Sequence, residues 1–367
     1  MADQRVKNFA RVLVDYSTRI QPGDRVLIEA TTLAEELVQE LYVLILERGG
    51  HPYMGLQLPE AGELMLRYAN ETQALHTNQL LAYAYENFES RIRVWSEGNT
   101  KATSGADPKL QSAMLKAGAS ILDTQMQRGM AKEFKWCTTM TPTRAYAMQA
   151  GMGFEAYKDF FYAAVHATED DPVAYWQQIQ ARQQKYVDAL AGHDKVELRG
   201  PNVELTLSIK DRIFKNAYGD HNMPDGEVFT GPVEDSMNGW VRYTYPAQFR
   251  GNVVEGAELK FKDGKVVEAK AEKEEEFLKQ IIATDEGSSY VGEFAIGLND
   301  DIDRFTGFIL LDEKIGGSFH MALGKGYPET GSVNDSAVHW DMICDLRTDS
   351  EILVDGELFY KNGEFVI

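Results

Sequence analysis

Two side chains that bind metals well, His339 and Asp341, stand one residue apart inside the otherwise apolar run SAVHWDMICD. Side chains in a strand alternate between faces, so this pair shares one face while Val338, Trp340 and Met342 share the other. The apolar face reads as core, and the polar face must meet water or a ligand. Similar donors recur upstream. Glu313, His320 and Tyr327 lie in LLDEKIGGSFHMALGKGYPETG, where Gly316, Gly317, Gly324 and Gly326 let the backbone bend tightly or approach a neighbour closely. The apolar neighbours Phe319, Met321 and Leu323 mark this backbone as packed. Glu227 follows the turn residues Pro224-Asp225-Gly226 and precedes Val228 and Phe229. Glu293, in SYVGEFAIGLN, is expected to share one strand face with Val291 and Ala295, and its own segment holds no lysine or arginine to pair with it.

A carboxylate inside an apolar stretch must be paired, protonated or bound to a cation, because an isolated buried charge is too costly. Glu227, Glu293, Glu313 and Asp341 with His320 and His339 form a carboxylate-rich set with two imidazoles and no thiolate. Such a set suits Zn²⁺, Co²⁺ or Mn²⁺, and it holds more oxygen than one tetrahedral zinc uses. Two divalent ions sharing bridging carboxylates account for the count. A pair of ions about 3.5–4 Å apart generates a nucleophilic hydroxide at neutral pH and polarises a carbonyl or phosphoryl oxygen.

The elements that must position these residues fall into two regions. A chain of 367 residues exceeds what one hydrophobic core usually serves, so two domains are expected. In the first, DRVLIEA, HPYMGLQL, RIRVWSE and FKWCTTMT read as strands. TLAEELVQELYVLILERGG reads as a crossover helix opened by a Thr32/Glu35 capping box and closed by Gly49-Gly50. That pattern predicts a layered α/β domain over residues 1–192. Beyond His193 the character changes. Alternating runs and hairpins around Asp263-Gly264, Asp355-Gly356 and Asn362-Gly363 predict a mixed α+β domain over 193–367, rich in antiparallel strands, carrying the metal site and one helix near Glu272–Thr284.

Composition narrows the function classes. A formal charge of −20 argues against a nucleic-acid surface, which needs clustered Lys and Arg. No apolar run reaches membrane-spanning length, and Phe9, Leu13, Tyr16 and Ile20 recur at helical spacing rather than as a signal-peptide core. A soluble cytoplasmic protein that does not engage a membrane is expected. Cys137 and Cys344 are too few for a disulfide framework and read as buried thiols.

The blocks NMPDGEVFTGP, GEFAIGLN, LDEKIGGSFHMALGKGYPE and HWDM, in this order, resemble the signature blocks of the M29 family of metallo-aminopeptidases, the aminopeptidase T and aminopeptidase S type. WCTTMTPTRAYAMQAGM and FEAYKDFFYAAV extend the resemblance over the first half. It implies metal ligands at Glu227, Glu293, His320, His339 and Asp341, with Glu313 matching a further glutamate shortly before the histidine. The stretch KIGGSF between Glu313 and His320 is longer than the family's equivalent, so the place of Glu313 depends most on how the chain folds. The resemblance implies two divalent ions that bind the free α-amine of a peptide and activate a water. It also implies Tyr327 as a hydrogen-bond donor to the developing oxyanion, Glu227 or Glu313 as general base, and a homodimer. Two alternatives keep the metal: a hydrolase acting on another bond, such as a phosphoester, and a catalytically silent relative of the same fold.

Overall fold

The computed structural model describes residues 3–366. The expected strand and helix alternation of the first half becomes an all-parallel sheet of β1 (Arg25–Thr31), β2 (His51–Gln57), β3 (Ser90–Trp95) and β4 (Lys135–Met140). Their order is β2-β1-β3-β4, and the short strand Asn222–Met223 extends the sheet beyond β4. Parallel neighbours require crossovers, and the helix Glu35–Glu47 supplies the one between β1 and β2. Its start departs from the expected capping box. Thr31 rather than Thr32 is the capping side chain, accepting from the Leu33 N–H, and a 3₁₀ turn at Thr32–Ala34 delays the α-helix to Glu35. The helix Pro108–Met130 goes unannounced in the sequence because only Ala113, Ile121 and Gln125 of it are buried, a stripe too sparse to give a helical period.

Against this sheet lies a charged cluster in which Glu29 and Arg91 are buried and Arg93 is partly exposed. Glu29 on β1 accepts from Arg91 Nε at 2.8 Å, Arg93 Nη2 at 3.2 Å and the Tyr85 hydroxyl at 2.8 Å. Arg91 in turn donates to Gln125 and Thr138, both at 3.0 Å. Burial raises the Glu29 carboxyl, but Arg93 and Arg91 outweigh it and hold the group below its ordinary range.

The chain divides into two compact units, Met1–Gln177 with Gly219–Pro224, and Gln178–Tyr218 with Asp225–Ile367. The change from helix to strand lies between Pro172–Leu190 and Lys195–Gly200, whereas the division by contacts lies within that helix. The excursion at Gly219–Pro224 belongs to the first unit because Asn222 and Met223 pair with Thr138 and Thr139 of β4.

The second unit is built on two antiparallel sheets. One has eight strands, from Lys195–Gly200 to Glu364–Phe365. The other has five: β5 (Lys215–Ala217), β6 (Glu227–Thr230), β7 (Val291–Gly297), β8 (Ser318–Gly324) and β9 (His339–Asp345), in the order β9-β8-β7-β6-β5. Both contribute to one hydrophobic cluster, in which Val196, Leu205, Val241 and Leu259 of the larger sheet join Val228, Phe294, Phe319, Met321, Trp340 and Met342 of the smaller. Trp340 is wedged against Phe249 and Phe277, with ring centroids at 5.3 and 6.1 Å. Both cysteines are buried thiols. Among the described residues no helix is long and apolar enough to cross a membrane.

Candidate metal centre

The opposite face of the five-stranded sheet carries the polar residues, and its register shows why. Glu293 pairs with Ala322, which pairs with Asp341; Ala295 pairs with His320; Gly324 pairs with His339; and Glu227 pairs with Gly297. Paired residues of an antiparallel sheet project to the same side, so Glu227, Glu293, His320, His339 and Asp341 share one face. Among them stand Ala295, Gly297, Ala322 and Gly324, small residues that leave space above the sheet for the longer donors.

One sequence expectation is corrected here. Val291 does not share the face of Glu293 and Ala295. The register slips between Val291 and Glu293, so that Gly292 and Glu293 together oppose Ala322, and Val291 pairs with Leu323 on the core side. This is a β-bulge, and its extra residue turns Glu293 away from the core. Gly292 permits it: a Cβ there would lie 2.2 Å from the Gly324 carbonyl oxygen and 2.5 Å from the Lys325 carbonyl carbon.

Glu313 arrives from outside the sheet. It caps the C-terminus of the short helix Ile309–Asp312, and Asp312, itself buried, holds the preceding segment by accepting from the Thr306 N–H and hydroxyl, both at 2.7 Å. Despite the longer KIGGSF connection, Glu313 reaches the cluster: its carboxylate lies with His320 and Asp341 in a group whose ligand atoms are all within 4.8 Å of one another. Glu293, His339 and Asp341 form a second such group, so Asp341 belongs to both.

All six sequence-selected donors therefore come together. His320 Nε2 is 3.6 Å from Glu227 Oε2, 3.8 Å from Glu293 Oε1 and 4.0 Å from Asp341 Oδ1. His339 Nε2 is 3.3 Å from Glu293 Oε2 and 3.6 Å from Asp341 Oδ1. The two oxygens of Glu293 thus face different imidazoles. His339 Nδ1 donates to the Lys325 carbonyl oxygen at 2.7 Å, which directs the Nε2 lone pair inward, the orientation of a metal-binding histidine.

These residues fit a divalent cation on three counts. Glu227 Oε2 and Asp341 Oδ1 are buried without a hydrogen-bond donor. Most of the gaps between donor atoms are too long for hydrogen bonds, yet suit atoms that each sit about 2.0–2.2 Å from a shared ion. The electrostatics are those of an acidic cluster that Lys314 and the two imidazoles compensate only in part. Burial pushes Glu227 and Asp341 up, and neighbouring carboxylates add to the push. Burial opposes charging of His320 and His339, but the carboxylates outweigh it and raise both.

Two further side chains flank the cluster, of which Tyr327 was selected from the sequence and Lys314 was not. Lys314, 1% exposed, donates to Glu227 Oε1 at 2.5 Å and lies 2.9 Å from Glu313 Oε1 and 3.4 Å from Asp225 Oδ1. A lysine in LLDEKIGGSF reads as an ordinary surface charge. No local signal sets it apart, because its partners Asp225 and Glu227 lie far away in sequence. Tyr327 packs its ring against His339 and Phe229, with centroids at 5.4 and 5.6 Å. Burial first, then Glu293 and Asp341, push its phenol well above the ordinary value, so it keeps its proton at neutral pH.

The profile of the family described as thermophilic metalloprotease (M29) matches residues 2–365. Among curated proteins, Aminopeptidase 2 of Geobacillus stearothermophilus is 28% identical, over 99% of this chain and 98% of that protein. Aminopeptidase AmpS of Bacillus subtilis is 26% identical over the same shares. Aminopeptidase T of Thermus thermophilus is 27% identical over 75% of this chain and 76% of its own length. The solved structure of wild-type AmpT from Thermus thermophilus superposes with a TM-score of 0.87 at 22% identity, over 99% of both chains, and so has the same fold.

Proposed function

Because the chain belongs to the M29 family of metalloproteases, we propose that it is an aminopeptidase that removes N-terminal residues from peptides with a free α-amine. The observation that carries this reading is the pair of donor triads with Asp341 in common. Glu227, Glu293, Glu313, His320, His339 and Asp341 would hold two divalent ions of Zn²⁺, Co²⁺ or Mn²⁺ type. When bound, such ions supply Lewis-acid polarisation of the scissile carbonyl and activation of the attacking water.

The chain's own residues supply the rest. Glu313, whose side chain is 15% exposed against 6% for Glu227, is the more accessible of the two lysine-bound carboxylates. It is assigned the general base, taking the water proton at Oε2 and passing it to the departing amine. Tyr327 donates its phenolic hydrogen to the oxygen that gains charge as the carbonyl carbon becomes tetrahedral, a bond stronger in the transition state than before it. Acidic side chains around the centre suit an incoming ammonium, which is the chemistry that distinguishes a peptide N-terminus from an internal bond.

The C-terminal region, 193–367, is the catalytic domain in this reading. A cytoplasmic location is supported by the lack of a membrane-crossing helix among the described residues. A homodimer is supported by the exposed apolar edge of the first unit, where Tyr53, Met54 and Leu56 on β2 are 48, 57 and 42% exposed. The test is metal content per chain after purification without chelator, with hydrolysis of an aminoacyl-anilide panel before and after metal stripping. Bound divalent metal and activity restored by it are expected. Metal with no anilide hydrolysis would leave a different hydrolase or a silent relative.

A further inference from the structure

Lys314 is among the largest fully buried side chains of the molecule, and a buried ammonium is tolerated only where anions meet it. It has three N–H donors, and three carboxylates face them: Glu227, Glu313 and Asp225. The backbone leaves little latitude. Lys314 follows Glu313 directly, its N–H bonds to the Leu311 carbonyl at 3.1 Å, and its own carbonyl receives the Asn299 N–H at 3.0 Å. Consecutive residues in a strand would point to opposite faces. Here Glu313 and Lys314 both reach the centre because they leave the end of a helical turn rather than a strand.

We propose that Lys314 is a positioning residue that fixes how two glutamates present themselves to the metal centre. By holding Oε1 of both Glu227 and Glu313, it leaves each with a single oxygen, Oε2, for ligation or proton transfer. Glu227 Oε2 is the oxygen that stands 3.6 Å from His320 and lacks a hydrogen bond. A glutamate free at both oxygens can chelate one ion and crowd out water; an ammonium held on one oxygen competes for it and favours ligation through the other. Lys314 also ties Glu227, on a strand, to Glu313, on a connecting segment, and so sets the spacing of donors that no regular element spaces. Partners of this kind, one step removed from the ion, are worth about 10–100-fold in metal affinity or activity.

This inference rests on the metal-centre reading, and the experiment separates the two. Wild type, Lys314→Met and Lys314→Met with Asp225→Asn are stripped of metal and titrated with Co²⁺. The double variant lowers the carboxylate repulsion left by the first change and guards against misfolding. Visible ligand-field spectra and Co²⁺ stoichiometry are recorded, with kcat and KM on an aminoacyl-anilide and circular dichroism as the check on folding. The expected result in a folded variant is Co²⁺ still bound, with shifted bands that report added carboxylate coordination. A kcat lower by roughly 10–100-fold, with KM little changed, is expected alongside. A folded variant with wild-type Co²⁺ bands overturns the proposal whatever its kcat, since Lys314 is then only a buried counter-charge. Wild type that takes up no Co²⁺ overturns the metal centre itself and this inference with it.

Discussion

Gly292→Ala tests whether the bulge, rather than strand alternation alone, aims Glu293. An alanine Cβ at this position would meet the Gly324 oxygen at 2.2 Å and the Gly326 nitrogen at 2.6 Å, where ordinary contact begins near 3.4 Å. All the clashing atoms are backbone, so no side chain can swing aside, and β7 must part from the end of β8 by about 1 Å. Overpacking of this size costs about 1–3 kcal/mol, a tolerable loss for a domain with so large a core. The effect on the centre is disproportionate. Glu293 faces His339 at 3.3 Å and His320 at 3.8 Å through different oxygens, and metal ligation tolerates only about 0.2 Å of error in each bond. Displacement of a reacting group by about 1 Å costs on the order of 100-fold in rate. The expected outcome is a folded protein whose melting temperature falls by a few degrees while bound metal and anilide hydrolysis fall by about two orders of magnitude. Wild-type metal content and activity in Gly292→Ala would refute the reasoning, because the bulge would then be incidental to Glu293.

Tyr327→Phe removes only the hydroxyl, so metal content should be unchanged while kcat falls about 100-fold or more, as for loss of an oxyanion donor; an unchanged kcat would assign Tyr327 to packing alone. Ala322 stands between Glu293 and Asp341 in register and is fully buried, so Ala322→Leu should fill the space between the ligands and abolish metal binding, seen as loss of bound metal by elemental analysis; full occupancy would mean that the ions sit elsewhere. In the first unit, Glu29→Gln leaves Arg91 buried without its anion and should cost about 3–5 kcal/mol at pH 7. Because the folded Glu29 carboxyl lies below its ordinary 4.5, its contribution is complete above pH 4.5 and is lost as pH falls through the folded value. Urea unfolding of wild type should therefore weaken below pH 4.5 by more than that of Glu29→Gln, and parallel profiles would contradict the assignment.

What the sequence made legible follows from how strictly local geometry binds each residue. The His339/Asp341 pair was readable because period-two alternation holds without interruption along β9, with Trp340 and Met342 buried opposite. The parallel sheet was readable because its strands are short apolar runs, several of them set apart by helices and glycines. Val291 was misplaced for the same reason that His339 was placed correctly. Alternation was assumed, and one bulge residue reverses every assignment on its far side. No local rule announces a bulge; Gly292 is required by the carbonyl of Gly324, a residue far along the chain. Lys314 escaped because its partners Asp225 and Glu227 are close only in space.

The two faces of the five-stranded sheet make opposite demands on the same strands, and this is why a metal centre accounts for the composition better than a solvated polar face does. On the core side β7 and β8 carry Phe294, Ile296, Phe319, Met321 and Leu323, which fill the space against the larger sheet. On the other side they carry Ala295, Gly297, Ala322 and Gly324 between Glu293 and His320, and every residue of both strands is buried. A face that merely met water would have no reason to be buried, and a face that merely packed would have no reason to be small and acidic. Small residues alternating with buried carboxylates leave a volume that is enclosed, negatively charged and lined with acceptors lacking donors. Lys314 meets part of this charge at Glu227 and Glu313, and a divalent cation suits the remainder, since water can supply donors but cannot offset the charge.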